Sequence, residues 1–361
     1  MIRWTEAGRE RSAAWRSALG APPPERVVVA DDRMKAATAY RLACEGTALL
    51  WRGDFQNARQ LLNAMARRCK PAAPGSGFHR HRQAQSQRAR TLGMLLVPYD
   101  AGHVVPLRRA PDVREACAEV YGPEAPPGVG RLRELLGLIG AHEWRRKGVH
   151  VPALGARVHP YHGVFSPIRG EYVDLVAEAP LPGDRLAFDI GTGTGVLAAV
   201  LARRGVRHVV ATDLDQRAVE CAADNVARLG LDDQVEIVRT DLFPPGRAPL
   251  VVCNPPWLPA KPISPLDHAV YDPGGRMLQG FLSGLAEHLE PGGEAWLILS
   301  DLAEHLGLRE RGELKVAFEG AGLRVAGRLD AVPRHSRTKD MTDPLHAARA
   351  AEVTSLWRLT R

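Results

Sequence analysis

The chain has 361 residues, of which 45% are hydrophobic and 25% are charged. This length predicts two domains, and the hydrophobic content excludes a disordered chain because it is sufficient for globular cores. The formal net charge is +7. Residues 1–180 hold 27 Lys and Arg against 17 Asp and Glu, whereas residues 181–361 hold 21 against 24. The excess positive charge therefore lies in the first half.

Cysteine content and hydropathy indicate the compartment. The chain has five cysteines, which is an odd number, and no two of them form a C-x-x-C pair. This pattern favours reduced thiols. No run approaches the length of apolar sequence that a membrane helix needs, and the start of the chain has no apolar signal core. We therefore expect a cytoplasmic protein with no membrane partner.

The first domain, expected to span residues 1–150, is predicted to be mainly helical. Apolar residues recur at helical spacing in two segments, separated by a turn at residues 51–54. A short hairpin, a Pro/Gly-rich linker and a further helix are expected to follow. In chain order the predicted elements are helices Arg33–Leu50 and Phe55–Arg68, hairpin strands Leu92–Val97 and Gly102–Leu107, linker Glu124–Gly130 and helix Arg131–Arg146.

A basic segment lies within this domain. Arg67, Arg68 and Lys70 precede a Pro/Gly loop, and residues 78–90 follow with Arg80, Arg88 and Arg90 near one face if the segment is helical. Such charge attracts phosphate backbones, so nucleic acid is one candidate partner. The alternative is an ordinary solvated helix face. The histidines of this segment lack a cysteine or acidic ligand at useful spacing, so no metal site is expected.

The second domain, residues 151–361, is predicted to begin its sheet with an apolar strand, Arg185–Ile190. This strand delivers Asp189 to its carboxyl edge. Three glycines then let the backbone turn sharply against a ligand. The helix Val196–Ala202 starts beneath this loop with free N–H groups aimed at the ligand. The candidate cofactor-binding residues of this segment are Asp189, Gly191, Thr192, Gly193, Thr194 and Gly195.

Two further strands end in carboxylates. The strand Arg207–Thr212 ends at Asp213, 24 residues after Asp189, where a carboxylate can accept both ribose hydroxyls. Asp215 is the weaker candidate, because it could cap the helix that follows. Asp241, beyond the strand 235–238, could accept from an adenine amine or only stabilise a turn. Three carboxylates at successive strand ends would repel phosphate groups, so they favour a cofactor without phosphates.

A fourth strand, Pro249–Cys253, leads into Asn254-Pro255-Pro256-Trp257. The Asn254 oxygen and the Pro255 carbonyl could each accept from the NH₂ group of a planar acceptor. The two prolines would hold this backbone extended and rigid, and Trp257 offers a face for stacking. Asn-Pro-Pro alone is more often a simple turn. Because the Asn254-Pro255-Pro256-Trp257 segment here comes after the glycine loop, it predicts a clamp, that is, a site that holds a planar nitrogen in place.

In these residues the chain resembles the class I S-adenosylmethionine-dependent methyltransferases, and within them the HemK family of glutamine methyltransferases. Residues 164–176 resemble that family's segment ahead of the first strand, and residues 271–276 resemble its loop after the clamp. Trp257 stands where the family has Tyr, Gly170 stands where it has Thr, and the N-terminal region is longer. The resemblance covers roughly residues 160–361.

The resemblance implies a Rossmann-like, seven-stranded α/β domain that binds S-adenosyl-L-methionine. It also implies that Asn254, Pro255, Pro256 and Trp257 are the catalytic residues, with Asn254 next to the cofactor. The leading acceptor is a glutamine amide of a ribosomal or translation-factor protein. An exocyclic base amine in rRNA or tRNA is the alternative, and a small-molecule amine is third. A non-catalytic binding module is a further alternative, but such a module would not need every residue of the site to be present.

The last part of the chain is expected to complete the sheet. Its predicted elements are helix Met277–Leu289, strand Ala295–Leu299, helix Leu308–Glu319 and antiparallel strands Leu323–Ala331 and Glu352–Thr360. A polar loop, Pro333–Pro344, is expected to be mobile over the site.

Overall fold

A computed structural model describes residues 1–18, 20–73, 75–261, 270–334 and 340–361. The chain divides into two units, residues 1–143 and 144–361. The division falls within the helix Leu132–Lys147, whereas the boundary expected after residue 150 falls within the strand Val149–Val151.

The first unit contains strands and helices in alternation. In chain order they are β1 (Ile2–Glu6), β2 (Arg9–Arg16), β3 (Arg26–Ala30), α1 (Ala36–Cys44), β4 (Thr47–Trp51), α2 (Phe55–Ala66), α3 (Phe78–Leu92), β5 (Leu95–Tyr99), α4 (Arg114–Tyr121), β6 (Gly128–Arg131) and α5 (Leu132–Lys147).

A six-stranded sheet lies at the centre of this unit, in the order β1-β2-β6-β5-β4-β3. The prediction of a mainly helical domain is therefore wrong, although α2 and α5 confirm two of its helices. The basic segment 78–90, for which the sequence left a helix open, lies in α3. The helix expected over Arg33–Leu50 ends at Cys44, because Gly46 adopts a φ of +79° and turns the chain. All five residues of β4 are buried, so this apolar run forms an interior strand.

The expected hairpin and linker are also wrong. β5 pairs in parallel with β4 and antiparallel with β6, so its partner strand is not the segment 102–107. The segment expected as a linker contributes β6, which joins β2 to β5. A Cβ at Gly128 would lie 2.9 Å from the Ala14 carbonyl oxygen, so only glycine allows this close strand approach.

Arg16 ends β2 as a buried cation. Its guanidinium bonds to His103 Nδ1 and to the Pro126 carbonyl oxygen, and lies 4.5 Å from the centroid of the Tyr99 ring. Burial lowers its pKa from the ordinary value. Because arginine only donates, Nδ1 of His103 is the accepting nitrogen, and Nε2 donates to the Gly122 carbonyl oxygen.

The second unit begins with a short hairpin and continues as alternating strands and helices. Its elements are β7 (Val149–Val151), β8 (Ala156–Val158), α6 (Glu171–Glu178), β9 (Ala187–Ile190), α7 (Val196–Arg203), β10 (Val209–Asp213), α8 (Gln216–Leu229), β11 (Val235–Arg239), β12 (Ala248–Cys253), α9 (Arg276–His288), β13 (Leu289–Ser300), α10 (Leu302–His305), α11 (Glu313–Gly320), β14 (Arg324–Ala331), α12 (His346–Ala351) and β15 (Thr354–Thr360).

These strands form a seven-stranded sheet in the order β11-β10-β9-β12-β13-β15-β14. β9 to β13 are parallel and β15 is antiparallel to both its neighbours, as the sequence predicted for the final pair. The chain runs outward from β9 to β11 and then returns to the other side of β9 with β12. Ligands of open α/β sheets bind where the order reverses in this way, at the carboxyl ends of the strands.

Apolar side chains cover both faces of this sheet. The residues of α7 from Val196 to Ala202 are all buried on one face, and α9 packs Phe281 and Leu285 on the other. Trp257 packs against both clusters. The loop expected to be mobile, Pro333–Pro344, lies partly outside the described residues.

Candidate functional site

The glycine loop follows β9 directly. Gly191, Gly193 and Gly195 adopt φ values of +72°, +58° and +78°, which lie in the left-handed region. A Cβ at Gly191 would lie 2.5 Å from Cε of Met277, and one at Gly195 would lie 3.3 Å from the Cα of Ala222. The loop therefore needs glycine both for its turns and for its contacts with α8 and α9.

Asp189 lies beneath this loop and is hydrogen-bonded to it. Its carboxylate is 1% exposed, and Oδ2 accepts hydrogen bonds from Thr192 Oγ1 at 2.6 Å and from the Ala198 backbone N–H at 3.0 Å. Burial raises the pKa of Asp189 to about 6, against the lowering effect of these two hydrogen bonds. Asp189 thus joins the loop to the first turn of α7, and its expected contact with a cofactor stays a prediction.

The two threonines of the loop are buried. The backbone N–H of Thr192 donates to the Thr212 carbonyl oxygen across 2.8 Å, and the Thr194 carbonyl oxygen accepts from Asn225 Nδ2 across 3.1 Å. The loop is therefore bound to β10 on one side and to α8 on the other.

Asp213, at the end of β10, faces the loop. Its Oδ2 accepts from the Gly193 backbone N–H and its Oδ1 from the Asp215 backbone N–H, both at 3.0 Å. The pKa of Asp213 is raised, chiefly because the carboxylate is partly buried. Asp215 accepts from the Arg217 backbone N–H and caps α8, which confirms the capping alternative for this residue.

Asp241 lies two residues beyond β11 and is exposed. The next residue, Leu242, has a φ of +61°, and its carbonyl oxygen accepts from Thr212 Oγ1 at 2.6 Å. This bond fixes the loop after β11 to the end of β10. Because β11, β10 and β9 are neighbours, Asp241, Asp213 and Asp189 lie at or near the carboxyl ends of three adjacent strands.

The Asn-Pro-Pro-Trp segment starts where β12 ends. The register pairs Cys253 with Ile190, so Asn254 and Gly191 continue from neighbouring positions of adjacent strands. Pro255 is buried, whereas Asn254, Pro256 and Trp257 are half-buried. The Trp257 indole N–H donates to Asn254 Oδ1 across 2.8 Å, a bond that the sequence did not predict.

The backbone after Trp257 is tied to α9. The Leu258 N–H donates to the Val270 carbonyl oxygen, and the Asp272 N–H donates to the Leu258 carbonyl oxygen. Oδ2 of the buried Asp272 accepts from the backbone N–H groups of Met277 and Leu278 at 2.9 and 3.2 Å, which caps α9. Sequence reasoning missed this role, because the N-cap position of α9 is Gly275 and Asp272 stands three residues before it.

Glu171 begins α6 in the segment that resembles the glutamine methyltransferases. Its side chain is buried, and Oε1 accepts from the backbone N–H of Arg334, which lies after β14. This contact joins the start of α6 to the segment between β14 and β15.

Residues 157–322 match the sequence profile of the methyltransferase small domain family. Together with the glycine loop and the strand order, this match decides the class of the second unit. It is a class I S-adenosylmethionine-dependent methyltransferase domain.

Relatives of the methyltransferase domain are named as methyltransferases of release factors, ribosomal protein and ribosomal RNA. The chain is 37% identical over 143 residues to a release factor glutamine methyltransferase of Cereibacter sphaeroides, covering 36% of this chain and 51% of that protein. It is 35% identical to a ribosomal protein L11 methyltransferase of Symbiobacterium thermophilum, covering 34% and 40%. It is 35% identical to a ribosomal RNA small subunit methyltransferase C of Pseudomonas aeruginosa, covering 45% and 48%. The chain thus spans about half the length of these relatives or less.

The described residues contain no group of three or more His, Cys, Asp or Glu side chains placed to hold a metal ion. Within the same residues, no helix combines the length and the apolar character needed to cross a membrane.

Proposed function

We propose that the chain is an S-adenosylmethionine-dependent N-methyltransferase that acts on a planar nitrogen. The observation that carries the proposal is the register between β9 and β12, which sets the Asn254 segment beside the glycine loop. A cofactor loop and an acceptor clamp on adjacent strand ends bring two reactants together, and positioning is the main requirement for this reaction.

The loop and its surroundings fit the cofactor. The left-handed glycines leave the backbone open for close approach, and partly exposed Asp213 would accept the ribose hydroxyls. Asp241 would accept a hydrogen bond from the adenine amine. Asp189, buried beneath the loop, would keep its shape. S-adenosylmethionine supplies a methyl group on a sulfonium, which is already a strong electrophile.

The chain's own residues would prepare the acceptor. The second lone pair of Asn254 Oδ1 and the Pro255 carbonyl oxygen accept from the acceptor NH₂, and Trp257 packs against its flat face. This fixes the nitrogen lone pair toward the methyl group. The new C–N bond forms as the C–S bond breaks, and the nitrogen then releases a proton to solvent. We assign no general base, because the methylated nitrogen is acidic.

A glutamine amide is the leading acceptor. The segment from Val164 to Val176 resembles the glutamine methyltransferases, and one 37% identical relative carries that name. An exocyclic base amine in RNA is the second candidate, favoured by the basic first unit and by the relative named for ribosomal RNA. The same clamp suits both, because each acceptor is a planar NH₂ group.

Labelled cofactor tests the activity and the acceptor together. The purified chain is added, with methyl-labelled S-adenosylmethionine, to an extract of cells that lack the gene. Label in glutamine of the protein fraction supports the leading acceptor, and label in bases of the RNA fraction supports the second. Label in neither fraction contradicts both macromolecular acceptors.

Asn254→Ala is the matched variant for this assay. We expect methyl transfer to fall at least about 100-fold, because a misplaced acceptor nitrogen loses most of the benefit of positioning. Calorimetry should show nearly unchanged affinity for S-adenosylmethionine and its demethylated product. Full methyl transfer by the variant would rule out the planar-nitrogen mechanism.

A further inference from the structure

Six exposed arginines of the first unit outside the segment 55–99 have a carboxylate partner. Ion pairs join Arg33 to Asp31, Arg41 to Glu45, Arg52 to Glu6, Arg114 to Asp112, and both Arg108 and Arg109 to Asp54. Such pairs reduce the field that these cations present to a partner.

The segment 55–99 differs, because it contains no Asp or Glu. Its basic residues are Arg59, Arg67, Arg68, Lys70, Arg80, Arg82, Arg88 and Arg90. Seven of the eight are exposed, and Arg82 is half-buried. The hydrogen bonds of Arg59, Arg68 and Arg88 go to a neutral amide and to backbone carbonyls, so their charge is not compensated there. We call the exposed cations of this segment the basic face.

α2 and α3 bring these charges together. Arg88 Nη1, on α3, donates to the carbonyl oxygen of Ala66, the last residue of α2, across 2.6 Å. The pKa of Arg133, on α5, is lowered first by burial and then by the charge of Arg88. Ala66 directly precedes Arg67, so the bond from Arg88 also brings α3 next to the first cation after α2. Like charges in one region repel one another, and an anionic partner would relieve the repulsion.

A groove of about 480 Å³ runs along the same helix. Arg80, Gln83 and Gln87 line it from one face of α3, since they stand at helical spacings of three and four residues. Ser76 lines it from the preceding loop, and its buried Oγ has no hydrogen-bond partner among the described residues. Amide side chains present donors and acceptors together, as the edges of nucleobases do.

We propose that the basic face binds RNA, with phosphates against its exposed cations and an unstacked base in the groove. Exposed cations in a segment without carboxylates select a polyanion, and an amide-lined groove suits a base better than a carboxylate side chain. The proposal is independent of which nitrogen is methylated, because this surface belongs to the first unit alone.

The test uses the full chain and a fluorescein-labelled single-stranded RNA of mixed sequence and about 30 nucleotides. Fluorescence anisotropy gives the affinity over KCl concentrations from about 0.05 to about 0.3 M. The test variant is Arg67→Gln/Arg80→Gln/Arg90→Gln. The control variant, Arg33→Gln/Arg41→Gln/Arg114→Gln, removes the same charge from paired arginines of the same unit. Matching melting temperatures establish that both variants are folded.

We expect the test variant to bind about 100-fold more weakly at about 0.1 M salt, with a salt slope lower by about 2, because each phosphate contact on a single strand contributes about 0.7. The control variant should lose less than about threefold, as exposed paired charges contribute little. Gln83→Ala should weaken binding about fivefold with an unchanged slope, because it removes a neutral hydrogen bond.

Several results would overturn the proposal. They are equal losses in the two triple variants, wild-type binding that does not depend on salt, and displacement of the RNA by poly-glutamate as efficient as by unlabelled RNA. Unchanged RNA affinity in Gln83→Ala would show that no base binds in the groove. Because no cofactor or turnover is involved, these results are separate from failure of the methyl-transfer assay.

Discussion

The indole N–H of Trp257 donates a hydrogen bond to Oδ1 of Asn254 across 2.8 Å. An amide oxygen has two lone pairs, so this bond fixes which end of the Asn254 amide is the oxygen and leaves one lone pair for a further N–H. The residue that the sequence suggested as a stacking surface therefore also orients its neighbour. A phenylalanine would provide the ring without this bond.

Trp257→Phe is expected to lower methyl transfer about tenfold while leaving cofactor affinity unchanged, because it removes one hydrogen bond of about 1 kcal/mol and keeps the aromatic face. The same substitution in an Asn254→Ala background should add almost nothing, since the oxygen it orients is already gone. Rates of methyl incorporation for the four proteins give the comparison. Equal losses in both backgrounds would contradict the positioning role.

Asp213→Ala is expected to weaken S-adenosylmethionine binding by about 1.5–3 kcal/mol, through the loss of charge-assisted hydrogen bonds. Asp215→Ala is the control, because this carboxylate caps α8. It should lower the free energy of unfolding by about 1 kcal/mol and leave cofactor affinity nearly unchanged. Calorimetry and urea denaturation separate the two effects. Unchanged affinity in Asp213→Ala, or binding of NAD by the wild type, would refute the cofactor site.

The buried carboxyl of Asp189 predicts a pH dependence of stability. Its pKa is about 6 in the folded chain, above the ordinary aspartate value. The folded state therefore binds this proton more tightly than the unfolded state, and the stabilisation is present below about pH 4 and lost as the pH rises through about 6. The change is on the order of 3 kcal/mol.

Asp189→Asn isolates this contribution, because the amide oxygen can still accept from Thr192 and Ala198. Urea denaturation of both proteins between about pH 4 and pH 7 should show the free energies of unfolding diverging as the pH rises, with the variant losing less. Parallel curves would mean that Asp189 does not titrate in this range.

Asp272→Ala is expected to lower the free energy of unfolding by about 2 kcal/mol, because a buried cap that accepts two backbone N–H groups of α9 is lost. Asp272→Asn should recover most of this, since its oxygen can still accept. Urea denaturation compares the three proteins. If asparagine were as destabilising as alanine, the negative charge rather than the cap would be the source of stability.

The sequence predicted the methyltransferase domain well because its signals are local. β9, β10, β11 and β12 are short apolar runs that end in Asp, Asn or a turn, and each appears within two residues of its expected bounds. The glycine loop also needed no knowledge of distant contacts. By contrast, the bond between Trp257 and Asn254 depends on two side-chain rotamers, which a sequence pattern does not specify.

The sheet of the first unit was missed for a physical reason. β4 continues the apolar pattern of α1, and only Glu45 and Gly46 separate them. β6 is a four-residue, glycine-rich strand that exists because β2 and β5 pair with it from either side. Pairings between residues so far apart in the chain leave little trace in local composition.

Arg16 makes pairing of β2 in a wrong register unfavourable. A strand that slips by one residue turns every side chain to the opposite face. Such a slip in β2 would take the Arg16 guanidinium away from His103, Pro126 and Tyr99, which hold it now. A buried cation without these partners is strongly unfavourable. One charge near the end of the strand thus acts as a check on how the whole strand is paired during folding.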